Sequence, residues 1–222
     1  MSELKIIAHI ITDFDEKFGV PRQSGLCSAK GRIIFEPEYR SPDALKGIEE
    51  FDYLWIIWGF EGVESDTFKA TVRPPRLGGN ETRGVFATRS PFRPNPLGLS
   101  SVKYEGLEVT ENGLTVLVSG VDMRNNTPIY DIKPYLPYVD SHPEASNGFA
   151  GEHRSENLKV EMSRELLKLI PNDKRDTLIE VLEQDPRPHY QDDPEREYGL
   201  SFAGLNIKFK VSESILKVTR VE

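Results

Sequence analysis

Apolar residues in the first 140 positions occur in short runs separated by Gly, Pro and Asn, rather than at the repeating spacing of a helix face. These runs are rich in Ile, Val, Tyr and Trp, which favour strands. Between the last two runs, Asn112-Gly113 is typical of a tight hairpin, because this pair tolerates the positive φ that the turn requires. The predicted strands lie at residues 4–12, 31–37, 51–60, 83–90, 99–110 and 113–122.

Many short strands joined by turn residues favour a closed or nearly closed barrel, which we expect over residues 1–142. One short helix is expected from Pro42 to Ile48, since Ser41 can cap it and Pro42 suits a first helical position. The sequence therefore predicts a mainly β fold for this part of the chain.

The pattern changes after Asp140, where residues 141–153 are small and polar and are expected to form a linker or long loop. Residues 158–162 alternate as a strand, and Ser163 can cap a short helix that reaches Ile170. Asn172 or Asp173 can cap a second helix, whose apolar face carries Leu178, Val181 and Leu182. Residues 205–211 alternate cleanly, and 215–221 can pair with them. We predict a small α+β domain over residues 155–222.

Charge is distributed unevenly along this acidic chain, which has 222 residues and a net charge of -8. The span from Lys69 to Lys103 holds seven basic residues and one acid, Glu81, and so carries +6. The remaining residues hold 21 basic and 35 acidic side chains, or -14. A local cationic face can bind phosphate even on an acidic protein. The alternative is a solvated surface on which bases cluster by chance.

Several functional classes are disfavoured by the sequence. It has no GxGxxG, no P-loop and no GxSxG motif, and Cys27 is its single cysteine, which we expect to be buried. The longest apolar run, Leu54–Trp58, is too short for a bilayer, and the acidic N-terminus does not resemble a signal peptide, so a cytoplasmic protein is expected. The histidines are scattered, so no metal site is expected. They are His9, His142, His153 and His189.

Four segments combine proline or glycine with polar and basic side chains: KFGVPRQSG, TVRPPRLGGN, GVFATRSPFRPNPLG and GVDMRNNTPIYDIKPYLPYVD. Residues before proline are restricted to extended backbone, which here applies to Ser90, Arg93, Asn95, Lys133 and Leu136. Loops fixed in this way lose less entropy when they bind, as a preformed ligand site requires. The alternative is that these prolines only shape the turns at the ends of a barrel.

The blocks GVPRQSGL, TVRPPRLGGN, FATRSPFRPNPLGLSSV and DIKPYLPYVD, together with DPRPHY near the C-terminus, resemble the YaeB-like or TsaA-like family of tRNA methyltransferases. The resemblance implies a single-sheet β-barrel that binds S-adenosylmethionine without a Rossmann domain and works as a homodimer. It also implies methylation of the exocyclic amine of threonylcarbamoyladenosine, beside the anticodon of threonine tRNA. The alternatives are a non-catalytic S-adenosylmethionine-binding sensor and an RNA-binding adapter.

Site residues follow from the same resemblance. Relatives usually read Asp-Gly where this chain has Asn125-Asn126, a turn that Asn can still form. Some relatives have a histidine at the place of Phe60-Glu61, so a histidine base is not assumed here. The residues expected to contact the cofactor are Pro21, Arg22, Gln23, Arg89, Leu99, Gly120, Val121 and Asp122.

Methyl transfer to an acylated adenine amine needs an in-line approach and a group that takes the departing proton. It needs no metal. Asp131 is the first candidate for this base and Tyr135 the second, although Asp131 can equally be a turn residue. Lys133 can contact the substrate carboxylate or a phosphate. Arg73, Arg76, Arg83 and Arg93 are the tRNA-contact candidates, with salt bridges to nearby acids as the alternative.

Overall fold

The computed structural model describes residues 4–63, 67–74, 77, 81–152, 157–187 and 193–222. Among these residues, no helix is long and apolar enough to cross a membrane. The first half carries the strands β1 Ala8–Thr12, β2 Lys30–Phe35, β3 Tyr53–Gly59, β4 Thr71–Val72, β5 Arg83–Gly84, β6 Leu97–Thr110, β7 Gly113–Ser119 and β8 Thr127–Pro134. The rest carries α1 Pro137–Asp140, α2 Phe149–Glu152, β9 Lys159–Glu161, α3 Arg164–Lys168, α4 Arg175–Glu183, β10 Tyr198–Phe202, β11 Leu205–Ser212 and β12 Ile215–Val221.

Six strands pair in the order β1-β2-β7-β6-β3-β8, and β8 pairs back with β1, so the sheet closes into a barrel. The first half of β6 pairs with β3, and its second half pairs with β7. A register shift between Tyr104 and Gly106 lies where β6 changes partners. Because a bulge bends its strand, this irregularity helps the long β6 curve around the barrel. Alternate residues fill the interior, among them Ile10, Ile33, Leu54, Ile56, Val102, Val116 and Ile129.

The second sheet has the order β10-β11-β12-β9, with β9 parallel to β12 and the other pairs antiparallel. Helix α4 contacts β9 and buries Leu178, Val181 and Leu182, as predicted. The two sheets share one hydrophobic core, in which the rings of Phe14 and Phe202 lie 5.6 Å apart.

Polar contacts join the same two parts of the chain. Lys174 Nζ lies 2.6 Å from Asp13 Oδ2, and the amide of Ala203 donates to the carbonyl of Asp13. Gly19 has a φ of 93°, and a Cβ there would come within 1.9 Å of the Leu200 side chain. The backbone of the first half is therefore packed directly on β10.

The mainly β prediction, the hairpin at Asn112-Gly113 and the Ser163 cap are confirmed, the last by a bond from the Leu166 amide to the Ser163 side chain. The helix expected at 42–48 is wrong: two short 3₁₀ helices, Pro42–Leu45 and Ile48–Glu50, occupy this region. Ser41 makes no side-chain cap bond there.

Two further predictions about elements are corrected. Only Arg83–Gly84 of the strand expected at 83–90 pairs as a strand, because a 3₁₀ turn follows at Val85–Ala87. The second C-terminal helix starts at Arg175 after a 3₁₀ turn at Asn172–Lys174, so neither Asn172 nor Asp173 caps it. Strands β4, β8 and β10 were not predicted.

Candidate functional site

Several predicted site residues lie side by side on the outward face of β3 and its two neighbouring strands. We call each set of directly opposite residues on this face a row. Residues directly opposite each other in an antiparallel pair project to the same side of the sheet. Ile57 of β3 pairs with Leu99 of β6 on one side and with Asp131 of β8 on the other. Leu99 is exposed and Asp131 is half-exposed, so this row faces away from the core. A cofactor candidate and the first base candidate thus flank the same residue.

Two more rows continue along the same face. Trp55 pairs with Ser101 and with Lys133, and Tyr53 pairs with Lys103. The amide of Tyr135 donates to the carbonyl of Tyr53, which extends the ladder by one residue beyond β8. Lys133 is extended, as predicted from the proline that follows it. Rows on one face are about 6.6 Å apart, so Tyr135 lies about 13 Å from Asp131 along the strand. The two base candidates therefore lie two rows apart on this face.

The Asp131 carboxylate is oriented by its neighbours. Its Oδ2 lies 2.8 Å from Nζ of Lys133, and its Oδ1 accepts the Ile132 amide at 2.9 Å. Both side chains of the ion pair are well exposed, at 44% for Asp131 and 61% for Lys133. The carboxylate is therefore held on the outward face while staying open to solvent and to a substrate.

Tyr135 belongs to an aromatic cluster at the far end of this face. Its ring centroid lies 5.5 Å from that of Trp55 and 6.2 Å from that of Tyr53. Trp55 Nε1 donates to Asp140 Oδ2, which also accepts the Leu136 amide. The hydrogen bond from Leu136, followed by that from Trp55, lowers the pKa of Asp140. This carboxylate fixes the chain that follows β8.

The predicted cofactor residues near Arg22 contact both halves of the chain. Gln23 Oε1 accepts a close hydrogen bond from Arg89, so the first and third proline-rich segments meet here. Arg22 donates to the carbonyls of Asp185 (3.0 Å) and Arg187 (3.1 Å), in the second half of the chain. Pro21 is buried. Arg22 thus anchors this loop to the segment before β10, and Gln23 is the side chain directed toward Arg89.

Asp122 ends a hydrogen-bond chain from the barrel interior. Trp58 Nε1 donates to Ser100 Oγ at 2.9 Å, and Ser100 Oγ donates to Asp122 Oδ1 at 2.6 Å. Burial raises the pKa of Asp122, and this outweighs the opposing effects of Ser100, the Ser24 amide and the Arg89 charge. Arg89 is hydrogen-bonded to Gln23, and its charge also acts to lower the pKa of Asp122, so both cofactor-candidate segments lie near this guanidinium.

The turn at Gly120 is closed by backbone contacts. Its amide and that of Val121 both donate to the Ala29 carbonyl, and its carbonyl accepts the Gly25 amide. The Val121 side chain lies in the core. Gly120, Val121 and Asp122 were expected to contact the cofactor. The amides of Gly120 and Val121 bind the Ala29 carbonyl, which fixes the shape of this turn.

The cationic candidates differ in their contacts. Arg83 lies 2.8 Å from Glu81 and its guanidinium lies over the Phe149 ring. Arg93 donates to the Thr88 carbonyl, and Arg73 is exposed. Arg76 lies outside the described residues. Among the described arginine candidates, Arg83 therefore forms the salt bridge that was the alternative to a tRNA contact, and Lys133 is ion-paired as well.

Two residues of the outward face of β3, Tyr53 and Trp55, were not predicted from the sequence as site residues. Their alternation within the strand at 51–60 already marks an outward side, but only the register with β6 and β8 shows which side chains join them.

The predicted turn with Asn in place of Gly is confirmed, since Asn126 has a φ of 64°. Within the described ranges, no group of three or more His, Cys, Asp or Glu side chains is arranged to hold a metal ion.

Comparisons with known proteins identify relatives over nearly the whole chain. The family model described as tRNA-methyltransferase O N-terminal domain matches residues 9–141, and the TrmO C-terminal domain model matches residues 155–222. The tRNA (adenine(37)-N6)-methyltransferase of Escherichia coli (strain K12) is 38% identical over 225 residues, covering 97% of this chain and 96% of that protein.

A second relative and a solved structure support the same family assignment. The protein of the same name from Eikenella corrodens is 42% identical and covers 77% of this chain and 97% of its own length. A crystal structure of TrmO from Pseudomonas aeruginosa superposes with a TM-score of 0.78 at 29% identity, covering 100% of this chain and 99% of that one. The chain therefore belongs to the tRNA-methyltransferase O family.

Proposed function

We propose that this protein transfers a methyl group from S-adenosylmethionine to N6 of adenine 37 in tRNA. The observation that carries the proposal is family membership across both matched regions, with relatives named tRNA (adenine(37)-N6)-methyltransferase. Other relatives are named as S-adenosylmethionine-dependent or S-adenosyl-L-methionine-binding proteins. The outward face of β3, β6 and β8 is the proposed site of the reaction.

The finer proposal concerns the substrate and the assembly. We assign threonylcarbamoyladenosine of threonine tRNA as the methylated nucleoside, on the resemblance of the proline-rich blocks. The enzyme acts as a cytoplasmic homodimer, with residues 1–142 as the methyltransferase domain and 155–222 as a small α+β domain. A threonyl group adds a carboxylate to the substrate, and Lys133 is exposed beside Asp131 to receive such a charge.

The predicted cofactor residues fit S-adenosylmethionine chemically. Leu99 offers an exposed apolar contact, and the Arg89 guanidinium, whose charge reaches the partly buried Asp122, can pair with a carboxylate. Gln23 beside Arg89 offers an amide. When bound, this cofactor supplies an electrophilic methyl group. The protein's part is to orient the acceptor nitrogen, to exclude competing contacts and to receive a proton.

Asp131 is the proposed proton acceptor. The lone pair of an acylated amine is delocalised, so removal of the N–H proton as the nitrogen attacks keeps the lone pair available. The Asp131 carboxylate is held by Lys133 and the Ile132 amide, and its row with Leu99 places it close to the proposed cofactor contact. Tyr135 remains the second candidate. Arg73, Arg83 and Arg93, with Arg76 outside the described residues, are the proposed phosphate contacts.

The direct test incubates the purified chain with tRNA lacking this modification and S-adenosylmethionine labelled in the methyl group. Label in the tRNA, followed by nucleoside mass spectrometry, should reveal N6-methylated threonylcarbamoyladenosine. Calorimetry with the cofactor alone is run in parallel. Binding without transfer would favour the sensor alternative, and tRNA binding without cofactor binding would favour the adapter. Label in unmodified adenine 37 would overturn only the finer assignment.

A further inference from the structure

An open pocket of about 480 Å³ lies where the outward face of the barrel approaches helix α4. Its volume falls within the range of small-molecule sites, which suits a group as large as a nucleoside. It begins at the row of Tyr53 and Lys103, so it is continuous with the face that carries Asp131. Its lining includes Tyr53, Lys103, Asn157, Glu180, Glu183 and Gln184.

Tyr53 gives the pocket an aromatic wall. Its side chain is 44% exposed, although it is supported from one side by an edge-on contact with Tyr135. A large aromatic side chain that is held in place yet open to solvent is suited to stacking with an unpaired base. Such stacking depends on the ring and not on the hydroxyl group.

Lys103 gives the same end of the pocket a positive charge. Its Nζ lies 3.1 Å from Glu105, and both side chains are substantially exposed. Exposed pairs of this kind contribute little to stability, so exchanging the carboxylate for a phosphate costs little. A base stacked on Tyr53 would bring its own phosphate toward this lysine.

The opposite wall comes from the second half of the chain and offers groups that can pair with the edge of a base. Asn157 and Gln184 carry amides joined by a long 3.4 Å contact, and Glu183 adds a carboxylate. Amides and carboxylates are the side chains that read donors and acceptors on bases. Glu180 also lines the pocket, but its carboxylate already accepts the Ser28 amide.

We propose that this pocket binds a second, unpaired base of the RNA loop, stacked on Tyr53 and contacted at its edge by Asn157, Glu183 and Gln184. The proposal rests on the proposed function, because it takes the Asp131 row as the place of methylation. Tyr53 lies two rows from Ile57, or about 13 Å. That distance exceeds the length of a base, so the pocket base belongs to a neighbouring nucleotide. The second half of the chain thereby takes part in RNA recognition.

The test measures the affinity of the full-length protein for a synthetic anticodon stem-loop RNA of threonine tRNA and for versions lacking one loop base each. Tyr53→Leu should weaken binding of the intact RNA roughly ten- to a hundredfold, as expected for a lost stacking contact. Tyr53→Phe should keep nearly full affinity. Removal of one particular loop base should weaken the wild type and abolish the difference between wild type and Tyr53→Leu.

Tyr104→Leu is the matched control, because Tyr104 lies on β6 near Leu107 and Leu114, away from this pocket. Gln184→Ala supplies an independent variant on the opposite wall, with a smaller loss that also depends on the same base. Equal affinity of Tyr53→Leu and wild type would overturn the proposal, as would a loss independent of which base is removed. A change from dimer to monomer in sedimentation would instead assign Tyr53 to a subunit contact. Cofactor binding and methylation by the wild type report separately on the proposed function.

Discussion

Replacing Asp131 by Asn removes the proposed base while keeping the shape of the side chain. The amide oxygen can still accept the Ile132 amide, whereas the charge that faces Lys133 is lost. Loss of a general base costs typically about a hundred- to ten-thousandfold in rate, which corresponds to roughly 2.7–5.5 kcal/mol in the barrier. We expect a fall of this size in the single-turnover methylation rate.

The effect on folding should be small by comparison. The ion pair with Lys133 joins two well-exposed side chains, so solvent screens it and its contribution is below about 1 kcal/mol. For a chain of this size, that corresponds to a change in melting temperature of less than about 4 °C. A large loss of rate with little loss of stability therefore separates a chemical role from a turn-forming one.

The assay mixes excess enzyme and saturating S-adenosylmethionine with limiting tRNA and follows methyl transfer by rapid quench. Lys133→Gln is the companion variant, since it breaks the same ion pair but leaves the carboxylate. Because Lys133 orients Asp131 and is a proposed substrate contact, this variant should weaken tRNA binding and lower the saturated rate by much less than Asp131→Asn. If Asp131→Asn retains more than about a third of the wild-type rate, Asp131 is not a base of this kind. Tyr135→Phe is then the next variant to measure.

Three further outcomes are expected. Burial raises the pKa of Cys27 from 9.0 to about 11, so at pH 8 its thiolate population falls about a hundredfold. Thiol reagents should therefore modify Cys27 slowly in the native protein and rapidly in urea. Equal rates would contradict its burial. Phe202→Ala should lower the free energy of unfolding by about 3–5 kcal/mol in denaturant titrations, because it empties a site packed on Phe14. A loss under about 1 kcal/mol would mean that the two halves of the chain are not tightly packed. The double variant Arg73→Ala with Arg83→Ala should reduce the salt dependence of tRNA binding by about two units of log-log slope, and an unchanged slope would place the phosphates elsewhere.

Local features of the fold were predictable because neighbouring residues determine them. Asn112-Gly113 specifies its hairpin, and Ser163 caps the helix that follows it. Strand β8 was missed because Pro128 and Pro134 at its two ends suggested a turn-rich loop, whereas pairing with β1 and β3 holds the intervening residues extended. Strand β10 was missed because Gly199 weakens its pattern, although its alternate residues are buried.

The site was predictable only in part for a related reason. Asp131, Lys133 and Tyr135 lie close together in sequence, so a single proline-rich segment indicated all three. Tyr53 and Trp55 join them only through the register between distant strands, which one sequence does not reveal. The same applies to Arg22, whose partners at Asp185 and Arg187 lie far along the chain.

Closure of the barrel has a consequence for how the protein is made. Strand β1 pairs with β2 early, but its other edge is completed only by β8, through contacts such as Ala8 with Ile129. During synthesis, that edge therefore stays unpaired until most of the barrel sequence has left the ribosome. Pairings between such distant positions slow folding, and an open strand edge invites association between chains meanwhile. Expression at lower temperature or with added chaperones should accordingly improve the yield of folded protein.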